Sequence, residues 1–311
     1  MNIVVVGAGP AGMTSALLLA RAGHAVDLLE AGDGIGGLWA SQLDGDGHFL
    51  ADNSCKVYQP GYRTTPALMR MIGTDAARHF VQRHDLASDW LRPFMRDSCN
   101  RDLAWLCFAT IQRRLGLGAL HEVSVEEFLD ERRLSAGCAA WMRATALGGI
   151  AGTMKMTVWE LGHRLSSNLD SVFSGATGPL HWNAKPPNAP EGFLPAWQSA
   201  LEAAGVNLRL GSPVLAVQPH AEGMLVETEH TQEVAEMVML AVPPPAMARL
   251  LAASSPAVSE AFGYSQSGLQ AAISASCYTH LGITWLFDQP LGRDLPLGGH
   301  NVRQGWHPIL V

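Results

Sequence analysis

The sequence predicts an α/β fold built on a parallel sheet, and three observations predict it. A short apolar run, Ile3-Val4-Val5-Val6, opens the chain. Runs of β-branched residues like this belong to parallel strands buried on both faces. A glycine-punctuated turn, Gly7-Ala8-Gly9-Pro10-Ala11-Gly12, then leads into an apolar helical stretch from Met13 to Ala22. Gly23 suits the position just past that helix, and a second strand from His24 to Leu29 stops at Glu30. Strand, helix and strand within so few residues make a parallel crossover unit.

The turn has the pattern G-x-G-x-x-G, and each glycine has a physical reason. Gly7 permits the tight turn, Gly9 lets backbone approach a pyrophosphate, and Gly12 lets helix and strand pack closely. The first turn of the helix presents free N–H groups and a positive dipole end to phosphates. Glu30 falls 18 residues after Gly12, at the end of the second strand. An acid there accepts hydrogen bonds from ribose hydroxyls. Strand, turn, helix and acid together predict a Rossmann-type dinucleotide site.

Composition narrows the class. Apolar residues are 48% and charged residues 16% of the 311, an ordinary globular balance, and the length predicts two connected lobes. A net charge of −7 argues against nucleic acid as a partner, and Arg113-Arg114 and Arg132-Arg133 read as solvated helix faces. The five cysteines, Cys55, Cys99, Cys107, Cys138 and Cys277, are scattered without a C-x-x-C pair. They suggest neither a disulfide framework nor a metal site, and a reduced, cytoplasmic setting is expected. The apolar start lacks the basic flank of a signal peptide, and no other apolar run is long enough to predict a membrane span.

The segment after β-strand-ending Glu30 narrows the dinucleotide. The run Glu30-Ala31-Gly32-Asp33-Gly34-Ile35-Gly36-Gly37-Leu38-Trp39 resembles the E-x(5)-G-G extension of two-dinucleotide-binding-domain flavoproteins. The resemblance covers about the first 40 residues and implies FAD. It assigns cofactor contacts to Gly7, Gly9, Pro10, Ala11, Gly12, Glu30, Ala31, Gly36, Gly37, Leu38 and Trp39. Ile35-Gly36-Gly37-Leu38-Trp39 is also similar to flavin-containing monooxygenases, which need a second glycine motif for NADPH. Gly148-Gly149-Ile150-Ala151-Gly152 lacks that spacing, and Phe173-Ser174-Gly175 is followed by His181 two residues too late for their F-x-G-x-x-x-H fingerprint. An NADPH-dependent monooxygenase therefore stands as the alternative.

The remainder resembles the flavin amine oxidase and phytoene desaturase superfamily. Gly192-Phe193-Leu194-Pro195-Ala196-Trp197 leads into a helical stretch from Gln198 to Ala204. Strands are predicted at Gly205 to Leu210, Ser212 to Val217, Glu222 to Thr228 and Glu233 to Val242, before Pro243-Pro244-Pro245. In that family the valine matching Val214 contacts adenine through its backbone, and the strand ending in A-V-P-P completes the sheet near the flavin. Two further family-like segments, Ser124-Val125-Glu126-Glu127-Phe128 and Thr157-Val158-Trp159-Glu160-Leu161, lie in a helical middle region. Trp90, Trp105, Trp141, Trp159 and Trp182 are concentrated there, as core residues or as walls of an apolar pocket.

No G-x-S-x-G, H-E-x-x-H or P-loop is present, so hydrolytic, metalloproteolytic and phosphoryl-transfer chemistry have no sequence support. The resemblance instead implies an amine oxidase-like, FAD-dependent oxidoreductase. It would move a hydride from a C–H bond, at a carbon bonded to nitrogen, to flavin N5. The small-molecule substrate would be an amine, an amino acid or an apolar polyene. Two segments are candidates for the flavin ring's surroundings. Residues 51–58 include Cys55, Lys56 and Tyr58, with Lys56 the candidate to reach substrate. Residues 275–287 loosely resemble the family pattern Y-x-K-x-x-x-x-F, with His280 where many amine oxidases place a lysine. A neutral imidazole can hold a water or act as a base.

These readings predict an FAD-binding part at 1–75 and 191–250. A mostly helical substrate part spans 76–190, and a further α+β substrate part spans 251–311. The Gly-Asp motif that family members carry near the C-terminus has no counterpart here. A fragment, a partner chain or homo-oligomer supplying the remainder, a non-catalytic FAD-binding chain and a shortened family form are the readings left open.

Overall fold

The computed structural model describes residues 1–52, 57–58, 62–85, 101–102, 111, 115, 122–132, 134–144, 156–160, 179–183 and 185–263, with 265, 267–268, 271, 273, 298–299 and 309–310. It divides into two compact units. The first comprises Met1–Lys56, Pro66–His79 and Asn183–Leu286; the second comprises Val57–Thr65, Phe80–Trp182 and Phe287–Val311.

The first unit begins with strand β1 (Asn2–Val6), helix α1 (Pro10–Arg21) and strand β2 (Ala25–Leu29). A hairpin follows, β3 (Ser41–Leu43) and β4 (Phe49–Asp52). Strand β5 (Val57–Tyr58) belongs to the second unit, and helices α2 (Thr64–Met71) and α3 (Ala76–His79) come next. The second unit continues with β6 (Phe80–Asp85), α4 (Val125–Arg132), α5 (Ala136–Ala144) and all but the last residue of β7 (Pro179–Asn183). The chain then returns to the first unit as α6 (Leu194–Ala203), β8 (Asn207–Arg209), β9 (Val214–His220), β10 (Gly223–Thr228), β11 (Gln232–Ala235) and β12 (Met237–Leu240). Helices α7 (Pro244–Ala253) and α8 (Pro256–Ala261) come after them.

A four-stranded parallel sheet in the order β12-β1-β2-β8 forms the centre of the first unit. Alternation along β1 and β2 divides the buried residues between its faces. Val4, Val6 and Leu29 share one apolar cluster with Val226 and Ala235 of the antiparallel sheet β11-β10-β9. Ile3, Val5 and Leu28 are buried on the opposite face, where α1 packs on both strands and against α6. All these strand residues are apolar because neither face meets water.

Several element boundaries differ from those expected on sequence, and three of them have a plain physical reason. Helix α1 begins at Pro10, not Met13, and α6 begins at Leu194, not Gln198. Both carry proline within the first two positions, where its missing N–H has no intrahelical acceptor to lose. The stretch expected as one strand from Glu233 to Val242 is two strands in two sheets. Ala235 pairs with Met224 in the antiparallel sheet, whereas Glu236 donates its N–H to the Asn2 carbonyl at 3.0 Å, alongside β1. The crossing falls at the exposed Glu236, a single polar residue between Val234-Ala235 and Met237-Val238, which is too little to divide the stretch on sequence. Arg209, at the end of β8, pairs with Glu233 of β11 and lies 3.8 Å from Asp27 of β2, which ties the two sheets together.

The second unit contains two matching helix starts. Ser124 and Glu127 exchange hydrogen bonds at 2.9 and 3.2 Å, and Thr157 and Glu160 do the same at 2.8 and 3.1 Å. Each is a capping box. An antiparallel bridge joins Ser124 to Thr157, with Val125 N–H on the Met156 carbonyl at 2.9 Å. The two family-like segments are thus paired helix starts. The Ser124 backbone N–H, and then its hydroxyl, hold the Glu127 carboxyl below its ordinary value of 4.5. A depressed carboxylate contributes stability above its ordinary value and loses it as pH falls through the folded-state value. Ser124→Ala should cost about 1 kcal/mol at neutral pH. In thermal denaturation followed by circular dichroism, the gap between variant and wild type should narrow as pH falls below the ordinary carboxylate value of 4.5.

Candidate site for a dinucleotide

The site is assembled at the carboxyl ends of β1 and β2. Gly7 has φ of 100° and donates its N–H to the Leu29 carbonyl at 2.7 Å, which turns the chain out of the sheet. A side chain at Gly7 would meet the Ala241 carbonyl oxygen at 2.7 Å, and one at Gly12 would meet the Gly7 carbonyl oxygen at 1.8 Å. Both glycines are therefore required by packing. Gly9 is different: a Cβ there would have no atom within 4 Å. Its bare face looks into open space. Gly9 caps α1 in an extended conformation, and the first helical bond runs from Met13 N–H to the Gly9 carbonyl at 3.0 Å. Pro10 has no N–H, and the Ala11 and Gly12 amides lie in the first turn, before the first intrahelical bond, and so lack intrahelical acceptors. An open face, free amides and a positive helix end suit a pyrophosphate.

Glu30 lies beside this turn. One carboxylate oxygen accepts the Ala8 N–H at 2.7 Å and the other accepts the Gly32 N–H at 2.8 Å. Each oxygen keeps a further lone pair, so the carboxylate can still accept from ribose hydroxyls. Ala31 is exposed. The chain then returns to the turn: Gly36 donates to the Ala8 carbonyl at 2.8 Å. Gly37, with φ of 52°, lies so close that a Cβ would be 3.1 Å from the Gly9 α-carbon. Leu38 is 68% exposed. Val214 begins β9 and packs on the apolar cluster under the sheet. Ser212, two residues before it, donates to the Glu30 carbonyl at 2.8 Å.

The structure thus brings Gly7, Gly9, Pro10, Ala11, Gly12, Glu30, Gly36 and Gly37 together, with Ala31, Leu38 and Trp39 in the adjoining turns. Lys56 and His280 lie outside the described residues, as do Cys55 and all of residues 275–287.

Sequence reasoning alone assigns no role to the residues that brace the Gly36-Gly37 turn. Trp39 packs edge-on against Phe193 at 5.6 Å and Trp197 at 6.2 Å between ring centres. Leu194 fills the space where Gly36 would carry a side chain. His79 meets the other side of Phe193 at 5.9 Å and bonds to Thr74 Oγ1 at 2.8 Å. Burial holds its imidazole below the ordinary value, opposed by a hydrogen bond to the Glu191 backbone. The signal was available as a helical stripe: Phe193, Trp197 and Leu201 recur at four-residue spacing, and all are buried.

Comparison with known proteins agrees with this geometry. The model of a family described as flavin containing amine oxidoreductase matches residues 10–281. Zeta-carotene desaturase of Synechocystis sp. is 50% identical over 73 residues, which are 24% of this chain and 15% of that protein. Putrescine oxidase, in a structure with putrescine bound, has a TM-score of 0.60 at 20% identity, covering 82% of this chain and 61% of that one. An oxidoreductase from Methanosarcina mazei has a TM-score of 0.59 at 17% identity, covering 85% of this chain and 64% of that one. The chain therefore spans less than two thirds of each of these relatives, and the two solved structures share its fold. Among the described residues, no helix is long and apolar enough to cross a membrane. The family match extends over most of the chain: this protein belongs to the flavin containing amine oxidoreductases, a family of FAD-dependent oxidoreductases, and its cofactor is FAD.

Proposed function

We propose that this protein oxidises a small organic substrate at a C–H bond, with the carbon bonded to nitrogen. The observation that carries the reading is the open face of Gly9 beside Glu30, at the head of a parallel sheet in a chain of this family. In this reading the Ala11 and Gly12 amides hold the pyrophosphate, with Gly9 and Gly37 giving its backbone approach. Glu30 accepts from the ribose, the backbone near Val214 meets the adenine, and Leu38 and Trp39 cover the dinucleotide. The bound flavin supplies a hydride acceptor at N5. His280 holds a water or takes a proton on an imidazole nitrogen, and Lys56 reaches toward substrate; both roles rest on the sequence pattern. Residues 1–75 and 191–250 form the FAD-binding domain in this scheme, with substrate contacts from 76–190 and 251–311. The scattered cysteines support a reducing, cytoplasmic setting.

A second reading, desaturation of a polyene, is favoured by the 73-residue match to zeta-carotene desaturase. Both readings predict a yellow protein with flavin absorbance bands. Anaerobic addition of amines and amino acids should bleach those bands under the first reading, and polyenes should do so under the second. Protein that stays colourless after reconstitution with FAD would overturn both.

A further inference from the structure

We infer that Glu30 is a positioning residue that holds the phosphate-binding turn in its binding shape before any nucleotide arrives. Contact with the ribose is then its second task. Ala8, the residue between Gly7 and Gly9, is fully buried, and a buried backbone N–H requires an acceptor. Glu30 supplies that acceptor at 2.7 Å. The Ala8 carbonyl is occupied as well, by the Gly36 N–H at 2.8 Å. The peptide groups leading into Gly9 are thus fixed from both sides, by Glu30 and by the Gly36-Gly37 turn.

The same residue gathers two more segments. Its other carboxylate oxygen holds the Gly32 N–H at 2.8 Å. Its backbone N–H donates to the Arg209 carbonyl at 2.9 Å, and its carbonyl accepts from Ser212 at 2.8 Å. Three stretches of the chain meet on one side chain and its peptide groups. Only a carboxylate satisfies both N–H donors. A glutamine would turn an amide donor toward one of them, and an aspartate is one methylene too short to span both. Charge-assisted bonds of this kind are the stronger class.

Two measurements test the inference, and only the second rests on the cofactor reading. In the full-length apoprotein, hydrogen exchange should show the Ala8 amide protected in wild type. Exchange should become about ten-fold faster in Glu30→Gln, with Val4 and Leu28 in the sheet unchanged. An Ala8 amide that exchanges freely in wild-type apoprotein overturns the tie, whatever the variant does. The second measurement is a cycle of protein and ligand changes. Wild type and Glu30→Gln are titrated with FAD and with FAD whose adenosine ribose lacks both the 2′ and 3′ hydroxyls. A positioning role predicts that Glu30→Gln still weakens binding of the dideoxy compound by about ten-fold. Complete loss of the difference on that compound means Glu30 serves the ribose alone. If neither protein binds FAD, the cofactor reading fails, while the exchange result still decides the role of Glu30.

Discussion

Gly12→Ala is expected to lose both stability and FAD. The new methyl group would lie 1.8 Å from the Gly7 carbonyl oxygen and 3.3 Å from the Ala241 side chain. The first neighbour is backbone at the end of β1, inside a turn fixed by the Gly7 bond to Leu29, so it has no rotamer by which to retreat. Helix α1 must move off the sheet. Overpacking of this kind costs roughly 3 kcal/mol, or a fall of about 10 °C in melting temperature. Gly9→Ala is the control. Its φ of −75° and ψ of 177° are ordinary for alanine, and nothing lies within 4 Å of the new methyl. Apoprotein melting should hold or rise slightly, because alanine restricts the unfolded chain. FAD affinity should nevertheless fall at least about ten-fold, since the methyl occupies the space that a pyrophosphate needs. Differential scanning fluorimetry with and without FAD separates the two outcomes. Equal melting of the two apoproteins would contradict the packing argument.

The second large effect belongs to Trp197. Its side chain is fully buried on α6, the helix that packs against α1, and it supports Trp39 edge-on. Trp197→Ala should cost about 3–5 kcal/mol through lost burial and the cavity left behind. Trp39 would then lose one of the aromatic rings packed on it, and the Gly36-Gly37 turn would loosen, so FAD should dissociate faster. Trp197→Phe should be far milder. The Trp197 indole nitrogen is buried without a hydrogen-bond partner among the described residues, and phenylalanine removes that unpaired donor. Urea denaturation of the three proteins measures the difference. A phenylalanine variant as unstable as the alanine one would show that the indole nitrogen has a partner.

How much of the site was legible in the sequence depends on how local its interactions are. Gly7, Gly9, Gly12 and Glu30 could be read because the turn, its helix and its acid are contiguous, and each glycine answers a backbone requirement. Gly36 and Gly37 could be read through the resemblance to the E-x(5)-G-G extension, and their return to Ala8 and Gly9 is made within the first 40 residues of the chain. The bracing of that turn could not. Phe193 and Trp197 are buried and aromatic in any packing of α6, and nothing in their spacing names Trp39 as the partner. The bidentate grip of Asn188 on the Ser41 backbone, at 2.9 and 3.0 Å, joins residues 147 apart through a side chain that has no periodic signal.

By itself the sequence determined a β-α-β unit, a glycine turn that admits a pyrophosphate, an acid at the end of the second strand and the resemblance to FAD-dependent enzymes. These depend on backbone conformation and on spacing within a few dozen residues. Only the tertiary structure decided the strand order β12-β1-β2-β8, the crossing of one apolar run between two sheets at Glu236, and the second use of Glu30 as a tie on Ala8. Each of those depends on which buried donor meets which acceptor once distant segments pack together. Hydrophobic burial brings such segments together without direction, and hydrogen bonding then selects the partners.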